Sequence, residues 1–226
     1  MRITAIQPQS RRTGRYNLYL DGSFAFALGT TQVVDLGLAV GQELSESELA
    51  QLQSQVEERE LFERALRFLA PRPRSRSEVR RRLLAPRPKH LPANPEMVER
   101  VLDRLEGLEL QDDRQFADFW VENRERFSPR SARALSFELR QHGVTREVID
   151  QASTSDRDEE RALAAGRQRL RSLSLTHSSS YEDFRTRLGQ FLLRRGFSYS
   201  IARRVVQQLW EERGQESDAP DMPLDD

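Results

Sequence analysis

Alternation of apolar and polar residues is confined to the opening of the chain. Tyr16, Leu18 and Leu20 alternate toward Asp21-Gly22, and Phe24, Phe26 and Leu28 alternate away from it. That is the pattern of two antiparallel strands around a type I′ turn. Arg2 to Gln7, carrying Ile3 and Ile6, supplies a third strand. A glycine-punctuated stretch from Leu36 to Gly41 follows, and Ser45-x-x-Glu48 then reads as a capping box that opens a helix.

From there the period becomes helical. Leu61, Phe62, Ala65, Leu66 and Leu69 form one stripe, closed by Pro71 and Pro73. Ser75-x-x-Glu78 is a second capping box ahead of Val79, Leu83 and Leu84, and Asn94-Pro95 opens the stripe Met97, Val98, Val101, Leu102 and Leu105. Phe116, Ala117, Trp120 and Val121 line the next helix. Ser128-Pro129 is read as the cap of a helix bearing Ala132, Leu135 and Leu139, and Val148, Ile149 and Ala152 sit on a short third one. A last set carries Ala162, Leu163, Leu170 and Leu173, then Phe184, Leu188, Phe191 and Leu192, then Ile201, Ala202, Val205, Val206 and Leu209.

These sets repeat. Leu139 to Ile149 matches Leu192 to Ala202 at an offset of 53 residues, and Leu83 opens the same junction 56 residues before Leu139. At each of the two later junctions a helix ends, Gly143 or Gly196 takes the C′ position, an apolar residue follows, and Thr145 or Ser198 caps the next helix. The reading is a mainly α chain of three tandem three-helix repeats in an elongated array, preceded by a small three-strand β segment. Its boundaries are 1–50 for the β-rich extension, 51–110, 111–154 and 155–213 for the repeats, and 214–226 for an acidic tail read as disordered. The proline-rich insert Pro86 to Pro92 interrupts the first repeat.

Composition narrows the chemistry. Apolar residues make up 37% and charged residues 32%, lean for one large globule and suited to small helical units that each bury a single stripe. There is no Cys, which excludes disulfides, thiolate metal sites and a cysteine nucleophile. The opening residues show no secretory signal and no apolar run reaches the roughly 20 residues of a membrane span, so a soluble, cytoplasmic protein is expected. Lys89 is the only lysine.

The balance of 36 basic and 36 acidic residues hides blocks. Residues 59–89 carry +8, 93–127 carry −5, 161–204 carry +8 and 211–226 carry −6. Separate surfaces for polyanionic and cationic partners are one reading of these blocks, and pairing of the faces within the fold is the other. The leading basic run is Arg72, Arg74, Arg76, Arg80, Arg81 and Arg82, with Arg76 and Arg80 one helical turn apart. Arg124, Arg126, Arg130, Arg133 and Arg140 continue it through the middle repeat, and Arg194, Arg195, Arg203 and Arg204 through the last. Such guanidinium groups suit phosphates or acidic protein surface. Asp112 and Asp113 with Glu109 read as an N-cap and dipole cluster rather than a metal site. His90, His142 and His177 fall in separate regions, with His142 read as a favourable charge at a helix C-terminus. Aromatic residues, Trp120 and Trp210 included, read as core. No P-loop, GxGxxG or GxSxG motif occurs, so no catalytic residue, metal or cofactor is expected.

Three segments together resemble the RecX family. They are Arg64-Ala-Leu-Arg-Phe-Leu-Ala70-Pro-Arg72 running through Arg74-Ser75, Glu78-Val79 and Leu83; Leu105 through Asp112-Asp113, Phe116-Ala117 and Trp120-Val121 to Arg124; and Glu138-Leu139 through Gly143-Val144 to Val148-Ile149, echoed by Arg194-Arg-Gly-Phe-Ser198. The likeness covers about 59–210, and the β-rich start with Val40 to Leu44 is similar to an extension that some members carry. The insert at 85–94 departs from the family's short turn. The resemblance implies three three-helix repeats without catalytic residues, acting as a monomer on the DNA-bound filament of the recombinase RecA. There, members inhibit ATP hydrolysis, strand exchange and co-protease activity in recombination, repair and the SOS response, with single- and double-stranded DNA as further partners. The rivals are a stand-alone DNA-binding helical module, a scaffold for other proteins and, remotely, a metal-dependent nuclease using Asp112 and Asp113.

Overall fold

The computed structural model describes residues 1–10, 13–86, 92–172 and 180–217. Lys89 and His90 of the insert, Leu173, His177 and the acidic residues from Asp218 onward lie outside the described residues. Among those described, three strands precede ten helices: β1 (Ile3–Pro8), β2 (Arg15–Leu20), β3 (Ser23–Gly29), α1 (Thr30–Asp35), α2 (Glu46–Leu69), α3 (Arg76–Leu84), α4 (Pro95–Gly107), α5 (Asp113–Phe127), α6 (Ala132–Gln141), α7 (Arg146–Ala152), α8 (Asp158–Ser172), α9 (Tyr181–Arg194) and α10 (Tyr199–Ser217). The chain is mainly helical with a β-rich start, as its periodicities require. No helix is long and apolar enough to cross a membrane among the described residues.

The chain divides into two compact units: Met1–Phe68 with Arg82–Gly107, and Leu69–Arg81 with the residues from Leu108 on. In the first, β1, β2 and β3 form an antiparallel sheet in that order. Asp21 and Gly22 have φ of 48° and 82°, the two positive values of a type I′ turn. Ile3, Leu18, Leu20 and Leu28 are buried and pack with Leu44, Leu52 and Val56. The capping box that starts α2 is reciprocal. Ser45 N–H donates to Glu48 Oε2 at 2.8 Å, and Glu48 N–H donates to Ser45 Oγ at 3.2 Å. Every residue of the stripe Met97, Val98, Val101, Leu102 and Leu105 on α4 is buried. Helix α1, with no buried residue, is one that apolar periodicity does not announce.

The second unit contains two three-helix sets. Phe116, Ala117, Val121, Leu135, Leu139, Val144 and Ile149 form the core of α5, α6 and α7. Ala162, Ala165, Phe184, Leu188, Leu192, Phe197, Ala202, Val205, Val206 and Leu209 form that of α8, α9 and α10. Helices α6 and α9 end in the same Schellman corner. Gly143 N–H donates to Arg140 O at 2.9 Å and Val144 N–H to Leu139 O at 3.2 Å, while Gly196 N–H donates to Leu193 O at 2.9 Å and Phe197 N–H to Leu192 O at 3.3 Å. The φ values of 78° at Gly143 and 91° at Gly196 are left-handed, which explains glycine at both. One cap differs from its expectation. Ser131, not Ser128, caps α6 through Ala134 N–H, whereas Ser128 is the C-cap of α5, because Pro129 and Arg130 are spent on the connection.

A joint recurs between successive sets. Ser75, which shares a reciprocal capping box with Glu78, donates its hydroxyl to His142 O at 2.7 Å, and Arg76 N–H donates to Asp113 Oδ1 at 2.7 Å. One repeat later, Ser131 N–H donates to Arg195 O at 3.2 Å and Ala132 N–H donates to Asp158 Oδ1 at 2.7 Å. Thus at the start of α3 and of α6 the N-cap serine donates to a corner carbonyl of the following set, through its hydroxyl at Ser75 and its N–H at Ser131, and the first helical N–H is satisfied by a carboxylate of that set.

Candidate partner-binding face

The arginines singled out in the sequence fall into two kinds. Glu78, on the first turn of α3, gathers the first kind: Arg72 at 3.1 Å, Arg74 at 4.0 Å and His142 Nδ1 at 3.6 Å. Glu138, on α6, gathers a second group. It accepts from Trp120 Nε1 and from Arg124 Nε, both at 2.8 Å, and pairs with Arg130 at 3.1 Å. Arg195 donates to Ser128 Oγ at 2.8 Å and Pro129 O at 3.2 Å and lies over the Phe191 ring. Arg204 pairs with Glu159 at 2.9 Å on the surface. These residues are held in place by their partners.

His142 and Trp120 join the two carboxylate hubs. Their rings pack at a tilt of 55° with centroids 4.4 Å apart, the Phe116 centroid lies 5.4 Å from that of His142, and Arg124 sits over Trp120 at 4.6 Å. A continuous line therefore runs from Arg72 and Arg74 through Glu78, His142, Trp120 and Glu138 to Arg124 and Arg130. Arg195 stands beside those two, since the Arg130, Arg124 and Arg169 charges, after burial, depress its pKa. Arg74 is lowered in the same way by burial and then by Arg72, with Glu78 opposing. Both remain cationic, and positive charge outweighs what Glu78 and Glu138 neutralise.

The second kind is open to solvent. Arg81, Arg133, Arg140, Arg194 and Arg203 are exposed, and none makes an ion pair among the described residues. Arg133 and Arg140 flank Phe137 on one face of α6, at i−4 and i+3, and Phe137 is 58% exposed. Arg80 is exposed and Arg76 half-buried at the joint, and both interact within the fold. The structure therefore brings together Arg72 and Arg74 at Glu78, and Arg124 and Arg130 at Glu138 with Arg195 beside them, places Arg76 half-buried at the joint, and leaves Arg80, Arg81, Arg133, Arg140, Arg194, Arg203 and Arg204 exposed.

Three expectations are adjusted. His142 stands at the C-cap of α6, but its charge there is disfavoured rather than favoured: burial against Trp120 and Phe116 lowers its pKa, an effect that Glu78 and Glu138 oppose and Arg72 and Arg81 reinforce. Aromatics are not uniformly core, since Phe127 is 59%, Phe137 58% and Tyr199 71% exposed. Asp113 is more than a dipole partner, because its carboxylate accepts from Arg76 N–H and Gln111 Nε2 and so serves the joint. Asp112 caps α5 through Arg114 N–H as expected. The hubs Glu78 and Glu138 were missed as site residues; Glu78 was legible only as a capping residue.

The comparisons with known proteins follow this geometry. Family models match in chain order: the regulatory protein RecX N-terminal domain at 1–45, and the first, second and third RecX three-helix domains at 62–85, 112–152 and 156–206. Regulatory protein RecX of Levilactobacillus brevis is 31% identical over 92% of this chain and 76% of its own length. The Bacillus subtilis protein of the same name is 27% identical over 96% of this chain and 80% of its own. A crystal structure of regulatory protein RecX superposes with a TM-score of 0.62 at 27% identity, covering 90% of this chain and 98% of that one. With the β-rich start, the three-helix sets and the glycine corners all matched in order, the chain belongs to the RecX family of regulatory proteins.

Proposed function

We propose that this chain regulates the recombinase RecA by binding its DNA-bound filament in the cytoplasm, as a monomer and without catalysis of its own. The observation that supports this reading is the line of arginines held by Glu78 and Glu138, together with exposed arginines on α3, α6 and α9. A filament of repeating protomers around a polyanion offers acidic protein surface and phosphates at regular intervals. Successive three-helix units with guanidinium groups on each suit a target of that kind. Binding there restrains ATP hydrolysis, strand exchange and co-protease activity, and so bears on recombination, repair and the SOS response.

Affinity in this reading is spread over several units. The test is co-sedimentation with RecA filaments on single-stranded DNA held by a slowly hydrolysed nucleotide. Single Ala substitutions at Arg81, Arg133, Arg140 or Arg194 are expected to weaken co-sedimentation by a few fold each, and the combined variant to abolish it. A single substitution that removed all binding would contradict a distributed surface. Tight, steeply salt-dependent binding to bare DNA, unchanged by RecA, would favour a stand-alone DNA-binding module instead.

A further inference from the structure

The third repeat contains a groove lined by residues that differ from their counterparts in the second. At the offset of 53 residues, Ser136 and Ser153 of the second repeat correspond to Gly189 and Val206 of the third. In the second repeat the two serine hydroxyls meet at 2.9 Å, and Arg146 pairs with Asp150 at 3.5 Å across the same surface. In the third, those positions hold Gly189, Val206, Tyr199 and Arg203, and a cleft of about 640 Å³ lies between α9 and α10. Its lining includes Arg185, Gly189, Leu193, Tyr199, Arg203 and Val206.

Gly189 has no internal explanation. It lies inside α9, where glycine disfavours the helix relative to alanine, yet a Cβ built on it would meet nothing within 4 Å. Its backbone is not left-handed. The bare backbone there lies open to the groove. The rim gives the groove its chemistry. Arg185 and Arg203 make no ion pair among the described residues, and the nearby Glu211 accepts from Gln207 Nε2 at 2.6 Å. Leu193 and Tyr199, 44% and 71% exposed, offer apolar surface beside the arginines.

We infer that this groove docks an acidic segment of a partner protein, with an aliphatic side chain seated over Gly189 and flanking carboxylates on Arg185 and Arg203. A polypeptide fits better than a nucleic acid strand. The floor of Gly189, Ala202 and Val206 is apolar, and the guanidinium pair favours carboxylates one or two residues to either side of an aliphatic anchor. This site is independent of the filament reading, because its test contains neither recombinase nor DNA.

The experiment is fluorescence anisotropy of the full chain with a fluorescein-labelled synthetic peptide alternating aspartate with leucine. Saturable binding is expected, with none to the same peptide bearing asparagine for aspartate. Arg185→Glu combined with Arg203→Glu should weaken binding by roughly tenfold or more. Gly189→Leu should block the groove. Gly189→Ala should raise the thermal midpoint while weakening the peptide, which a purely structural glycine would not do. Absence of peptide binding, or binding indifferent to these substitutions, overturns the inference. So does binding of labelled oligothymidylate, but not peptide, through the same residues. If replacing Asp218, Asp221, Asp225 and Asp226 by Asn made the peptide bind much more tightly, the groove would belong to the chain's own C-terminus and not to a partner.

Discussion

His142 occupies the joint between two three-helix sets, its carbonyl accepting from Ser75 and its ring packed against Trp120. Burial lowers its pKa from the ordinary 6.5. An imidazole harder to protonate in the fold than when unfolded contributes stability above its unfolded pKa, and that contribution is lost as pH falls through that value. The chain is therefore expected to lose stability between pH 7.5 and 5.5 in urea melts, and His142→Gln to flatten the slope over that window. An unchanged slope would remove His142 as its source. Glu138 offers a second test, since it satisfies Trp120, Arg124 and Arg130 together. Glu138→Ala is expected to cost about 1–3 kcal/mol in denaturant melts, because partners are left unsatisfied in half-buried positions. Little of this was legible in the sequence. The cap of Asp112 was, because capping is local. The hubs were not, because Glu78 and His142 lie 64 residues apart and meet only through the joint.

At the scale of elements, the glycine corners carry the architecture. Each ends a helix, turns the chain, and receives the first turn of a helix from the preceding set. A Cβ at Gly143 would lie 2.6 Å from Ser77 Cβ, and one at Gly196 would lie 2.5 Å from Ser131 Oγ. Gly143→Ala and Gly196→Ala are each expected to destabilise by roughly 1–3 kcal/mol, combining left-handed backbone strain with crowding at the joint. In a double-mutant cycle Ser77→Gly should recover part of the Gly143→Ala loss, the crowding but not the strain. Additive losses would show that the corner does not press on α3. The corners themselves were legible, because a helix end, a glycine and a Ser/Thr cap are written side by side in the chain. The sequence points to Ser128 in place of Ser131 as the cap of α6 because Ser-Pro is a cap signal in isolation. The joint's partner, Asp158, became visible only when α8 was placed against α6. The α9–α10 groove was invisible for a related reason: periodicity reports which residues are buried, and a groove is a face left uncovered.

For the molecule as a whole, the mainly helical plan, its β-rich start and its family were carried by motif order along the chain: Arg64 to Leu83, Leu105 to Arg124, and Glu138 to Ile149. The division of the arginines into held and exposed sets was not, because it depends on which carboxylates reach them. That division gives the proposed regulator its logic. In the proposed reading, held arginines fix a positive line and the exposed ones are the groups that would meet the partner. The most direct measurement is ATP hydrolysis by RecA on single-stranded DNA, from the same cell, titrated with this protein well below one copy per recombinase protomer. Strong inhibition at that ratio is expected, since a bound regulator acts on many protomers of one filament while competition for free DNA cannot. Hydrolysis that stays unchanged until the protein matches the DNA would contradict regulation through the filament.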